Sequence, residues 1–156
     1  MQLIFLLLLL VVPYLLLTFL GQGLDLSKEA RARVGLTMFL LFTGLGHFLR
    51  TEEMTAMVPP TIPSPREVIY ITGVLEILAA LGVWIPALMK VTGMCLIAFL
   101  IAILPANIYA AFNYLDFGGH GSGPAYLIVR VPFQLLVMWW VYFATEQRWF
   151  AGNSSA

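Results

Sequence analysis

"ITGVLEILAALG", residues 71–82, sets a single carboxylate, Glu76, in the middle of an apolar run. Thr72, Gly73, Glu76, Ala79, Ala80 and Val83 recur at i, i+3, i+4 and i+7, so on a helix they share one face. Most of them are small, and small residues let a neighbouring membrane helix approach closely. The spacing therefore turns this face, and Glu76 with it, into a helical bundle. A carboxylate left ionised and alone there is costly, so Glu76 is expected to be protonated or partnered.

The rest of the chain supplies the bundle. Of 156 residues, 61% are hydrophobic and 10% charged, with mean hydropathy +0.93. A soluble domain runs at about 45–50% apolar and roughly 25% charged. The composition is that of an all-α integral membrane protein whose first partner is the lipid bilayer. Zero net charge gives no reason to expect a nucleic acid or an acidic substrate. Cys95 is the only cysteine, which excludes an internal disulfide and any CxxC redox pair.

Five segments are expected to span: Leu3–Leu20, Val34–Leu49, Val68–Pro86, Val91–Asn113 and Ala125–Ala144. The second is the shortest, and its alternative is an interfacial or partly inserted helix. The first lacks the basic flank and the cleavage site of a signal peptide, so it reads as an uncleaved helix that Pro13 should kink. The chain then divides into residues 1–33, a transmembrane helix and cytoplasmic loop; residues 34–144, a four-helix bundle; and residues 145–156, a short tail with a frayed end.

Charge sets the expected orientation. Lys28, Arg31, Arg33, Lys90 and Arg148 fall on one side, and Arg50 and Arg66 on the other, beside Glu52, Glu53, Glu67 and Asp116. The positive-inside rule puts the N-terminus outside and the C-terminus in the cytoplasm. "DLSKEARAR" becomes a cytoplasmic loop whose basic residues meet anionic headgroups. "RTEEMTAMVPPTIPSPRE", with four prolines, reads as a stiff extended outer lid whose Met54, Met57 and Val58 dip into the interface. "YLDFGGHGSGP" reads as a flexible, turn-rich connection carrying His120.

Helical rise places Glu76 roughly 12 Å below the outer end of its span and Arg130 about 8 Å below, so a buried Glu76–Arg130 pair is expected. Asn107, just past Pro105, lies in the same outer half, with Gln134 one turn below Arg130 and His47 near the outer mouth. A structural reading makes these interhelical glue, at about 0.6 kcal/mol per bond. A functional reading makes them a site, since ionisable groups within a membrane usually mark one. His47 and His120 lack a third ligand or a haem-attachment motif and make a weak case for metal. Cys95 reads as a packing residue.

Taken together, "FTGLGHF", "MVPPTIPSP", "ITGVLEILAALGVWIP", "LPANIYAAFN" and "RVPFQLLVMWWVY" resemble the DoxX-like integral membrane proteins, across about residues 34–144. The resemblance implies a four-helix transmembrane bundle with one extra N-terminal transmembrane helix, in the bacterial cytoplasmic (inner) membrane. It implies His47, Glu76, Asn107, Arg130 and Gln134 as the residues most apt to line a site. On that footing one expectation is a redox-associated, quinone-linked membrane subunit. Glu76 and His47 would handle protons, and Arg130, Asn107 and Gln134 would bind substrate. Its electron-transfer groups would come from a larger membrane complex, because the chain carries no flavin, haem or iron–sulfur motif. The other is a non-catalytic structural or accessory subunit, a homo-oligomer, or a small-molecule carrier.

Overall fold

The computed structural model describes residues 2–21, 23, 25–113, 115 and 117–146. These residues form α1 (Gln2–Phe19), α2 (Lys28–Leu49), α3 (Thr51–Thr55), α4 (Pro65–Gly82), α5 (Met89–Phe112), a 3-10 helix (His120–Tyr126) and α6 (Leu127–Thr145). The stretches Lys28–Leu49, Met89–Phe112 and His120–Thr145 are long and apolar enough to cross a membrane, and Leu3–Phe19 is a shorter apolar helix. The surface agrees: Ile4, Phe19, Leu49, Leu78, Ile128 and Trp139 are all more than half exposed. Apolar side chains in such number on the outside of helices are stable in lipid, where backbone groups must bond internally.

Several sequence expectations change at the boundaries. The basic run is not a loop. Ser27 caps α2, its hydroxyl accepting the Ala30 N–H at 3.2 Å, with Glu29 in the first turn. Arg31 and Arg33 are therefore helical, and Arg33 is buried instead of meeting headgroups. α4 begins and ends earlier than expected. Ser64, at φ 52°, turns the chain so that Pro65 enters at the first helical position, and α4 stops at Gly82. The expected lid is compact, not extended: α3 is followed by turns that close from Met57 to Met54, Val58 to Thr55 and Ile62 to Pro59. The glycine-rich connection is also ordered, with Gly118 and Gly119 at positive φ leading into the 3-10 helix. Asp116, Arg148 and the tail beyond Glu146 lie outside the described residues.

The core runs along α2. Leu36, Phe39 and Leu40 pack with Ala80 and Val83 of α4, Leu96 of α5 and Phe133, Val137 and Val141 of α6. α1 lies on α2 at main-chain distance, since a Cβ on Gly35 would fall 2.1 Å from the Leu10 carbonyl oxygen. α2 and α4 meet in the same way at Gly44 and Gly73. A Cβ on Gly73 would lie 2.7 Å from His47 Cβ and 3.1 Å from the Gly44 oxygen. α1 and α5 run unbroken through Pro13 and Pro105.

Candidate functional site

The Gly44–Gly73 contact explains why His47 and Glu76 meet. Gly73 sits against His47 and Gly44 against Glu76, so the missing side chains let the imidazole and the carboxyl reach each other across the seam. His47 Nε2 lies 3.6 Å from Glu76 Oε1. The other ring nitrogen, Nδ1, is 3.1 Å from the Ile69 carbonyl oxygen and 3.0 Å from Thr72 Oγ1. The Thr72 hydroxyl itself donates to the Ile69 oxygen at 2.9 Å. A carbonyl only accepts, so His47 Nδ1 carries a hydrogen and Nε2 is the nitrogen turned toward Glu76.

Glu76 does not pair with Arg130. Among the described residues no ion pair within 4.0 Å joins them. Depth along the spans places the two at similar heights but says nothing of direction around each helix. Arg130 Nε instead donates to Asn107 Oδ1 at 3.0 Å, while the Asn107 amide nitrogen donates to the Ile103 oxygen at 3.0 Å, which fixes the orientation of the amide. The Arg130 guanidinium carbon also lies 5.8 Å from the Phe133 ring centre.

Both pairs line one cavity of about 590 Å3 between α1, α2, α4, α5 and the 3-10 helix, roofed by α3 and the turns after it. The volume falls in the ordinary range of ligand pockets, about 300–1,000 Å3. Its walls are mostly apolar, with Phe42, Phe99 and Phe117 among them. Met54, Met57 and Val58, expected at the membrane interface, line this cavity instead. Arg50 pairs with Glu53 at 2.9 Å and Arg66 pairs with Glu52, which ties the start of α4 to the roof. The hydrogen bond from Arg50 holds the Glu53 carboxyl below its usual range.

Of the five expected site residues, His47, Glu76, Asn107 and Arg130 line the cavity and Gln134 does not. Gln134 is buried and donates its amide to the Leu100 oxygen, next to the carbonyl that Pro105 leaves without its helical partner. It ties α6 to α5. The residue that sequence reasoning missed is His120, only 2% exposed and in T-shaped contact with Tyr126 at 4.7 Å between ring centres. Its Nδ1 donates to the Phe117 oxygen at 2.7 Å, and its Nε2 is buried with no partner. Glu76 Oε2 is likewise buried without a partner. The flanking "GG" that permits the turn was the available signal for an ordered His120. Among the described residues no three His, Cys, Asp or Glu side chains gather as a metal site.

A family described as a domain of unknown function, DUF8561, matches residues 36–145, a stretch that holds all five expected site residues and His120. No curated protein and no solved structure matches the chain.

Proposed function

The chain belongs to the DUF8561 family, and from the cavity within that domain we propose that it binds the headgroup of a quinone-like molecule inside a membrane. The observation that supports this most is the pairing of opposed chemistry on one apolar cavity. One wall carries a cationic donor, Arg130, oriented by Asn107; the other carries the His47–Glu76 pair. A quinone headgroup is a flat ring with an oxygen at each end, and each oxygen needs a donor. The unpartnered Glu76 Oε2 and His120 Nε2 suit the quinol form of such a guest, whose hydroxyls donate, because buried polar atoms in native proteins are nearly always satisfied. A quinone supplies two-electron redox chemistry when bound. The chain's own residues bind it, exclude water and deliver or take a proton at Glu76. Electrons would pass through a partner in a larger complex, and the resemblance to DoxX-like proteins agrees with that placement.

The same reading makes α1 and α4 cross the bilayer beside the three longer stretches, giving five spans with the N-terminus outside, in a bacterial cytoplasmic membrane. At 18 residues each, α1 and α4 are about 27 Å long. The α3 end carries only Arg50 and Arg66 against Lys28, Arg31, Arg33 and Lys90 at the other, which supports the α3 end as the outer one. Gly23→Cys and Thr61→Cys, each made in a Cys95→Ser background, test the orientation with an impermeant thiol reagent on intact cells. Position 61 should label and position 23 should not; the reverse inverts the topology.

Gln134 favours a second reading, an accessory subunit whose polar groups only join helices, because it bonds across helices and lines neither the 590 Å3 cavity nor the one beside it. Binding of tetramethylbenzoquinone to the purified protein decides between them. Native protein should bind it with an affinity that varies with pH. Arg130→Met should weaken binding about tenfold or more, as a hydrogen bond from a charged donor contributes about 1.5–3 kcal/mol. Glu76→Gln should keep binding and lose the pH dependence. A native protein that does not bind the quinone leaves the accessory reading.

A further inference from the structure

The headgroup cavity has a neighbour on its α4–α5 side. A second cavity of about 450 Å3 runs along the seam between these helices and shares Glu76 and Phe99 with the first. α4 packs chiefly on α2, and α5 on α6 and the 3-10 helix, so the seam between them is loosely joined. Past Glu76 the lining is almost wholly apolar, with Leu78, Ala79, Leu81, Val91 and Cys95 along it. Leu78, Leu81 and Val91 are 56%, 59% and 57% exposed, so the cleft opens sideways onto the apolar outer surface. At its far end the helices touch, since a Cβ on Gly82 would lie 2.5 Å from Thr92 Oγ1.

We infer that the ligand is an amphiphile of the lipid phase, with its head in the polar cavity and a long apolar tail in the α4–α5 cleft, and that it enters sideways between these helices. This rests on the headgroup reading above. The junction of the two cavities carries the argument. Glu76, 7% exposed and with Oε2 unpartnered, stands where one cavity becomes the other. Polar chemistry lies on one side of it and bare hydrocarbon on the other, which is the profile of a headed chain. A helix of another protein laid in the cleft would face Glu76 at that junction and leave the polar cavity unused. A water-soluble ligand would leave the cleft unused.

Cys95 is the chain's only cysteine, is exposed and lies in the cleft, so it reports occupancy directly. The probes are tetramethylbenzoquinone and trimethylbenzoquinone bearing a decyl chain, whose fully substituted rings do not add to thiols. Both should bind purified protein in lipid nanodiscs, and only the decyl compound should slow maleimide labelling of Cys95, severalfold at saturation. Ala79→Phe, which fills the cleft, should weaken the decyl compound about tenfold or more and leave the tail-less one unchanged. Cys95→Phe, at an exposed position, should do the same and guards against misfolding of the first variant. If both quinones bind and neither protects Cys95 nor responds to the two variants, the cleft is not the tail site, and the headgroup reading stands. If Cys95 is already protected without ligand and labels faster on dilution of the protein, another helix occupies the cleft and the inference is overturned. If neither quinone binds, both readings are overturned.

Discussion

The molecule holds an arginine inside each end of its bundle, and the two are used in opposite ways. At the end where α4 gives way to α5, Arg33 is buried and its guanidinium is packed among protein groups. One Nη donates to the Ala144 oxygen at 3.1 Å and lies 3.6 Å from the Met89 sulfur, and the guanidinium sits 5.5 Å from the Trp84 ring centre. Ala144 belongs to the last turn of α6, where carbonyls lack helical partners and the helix dipole favours a cation. Nearby, the Trp84 indole donates to Thr37 at 2.8 Å and the Trp140 indole to the Ala32 oxygen at 3.0 Å. At the α3 end, Arg130 is half-buried, bonds only through Nε among the described residues, and turns toward a cavity. One arginine closes a helix end, and the other is held open. A buried charge is therefore a poor guide to function until one asks whether it faces a helix end or a cavity.

The sharpest way to break this contrast is to remove each charge. Arg33→Met should cost about 1.5–3 kcal/mol of stability, read as a clear fall in thermal midpoint in detergent, because it strips a charged donor from a helix terminus. Arg130→Met should change the midpoint little and act on ligand binding instead. Equal stability losses at both positions would erase the distinction. A second comparison concerns the glycines beside the site. Gly73→Ala should cost about 1–3 kcal/mol through overpacking against His47 and Gly44. Gly46→Ala is its control, since a Cβ there meets only Met54 Cε at 3.6 Å, and it should be neutral or slightly stabilising. Equal effects of the two substitutions would mean that the seam is not tight. The smallest effect is expected at the closed end. Trp84→Phe keeps a ring under Arg33 and loses one hydrogen bond to Thr37, about 0.5–1.5 kcal/mol by thermal unfolding.

What the sequence disclosed depended on whether a residue's neighbours were local. The small-residue face around Glu76 was readable from spacing alone, and its partner proved to be Gly44 on α2. Helical rise put His47, Glu76, Asn107 and Arg130 at one level, where the cavity gathers them. Rise carries no azimuth, so Arg130 was matched to Glu76 when Asn107 stood nearer, and Gln134 was placed in a site it does not face. Arg33 read as a surface charge because its partners, Met89 and Ala144, are 56 and 111 residues away. Proline content suggested an extended lid. Yet α3 contains no proline; Pro59, Pro60 and Pro63 lie in the turns that follow it, and Pro65 opens α4.

The Gly44–Gly73 contact has a mechanical consequence. Where main chain rests on main chain, no rotamer can flex to take up slack, so the spacing of the backbones that carry His47 and Glu76 is set by the helix axes. Their side chains leave a gap of 3.6 Å, a few tenths of an ångström beyond hydrogen-bonding reach. On the function proposed above, a proton would cross directly only when that gap closes, or indirectly when a water steps in. Exchange at this pair would then be a clock for the breathing of two helices, and stiffening the seam would slow it without altering a single titrating group.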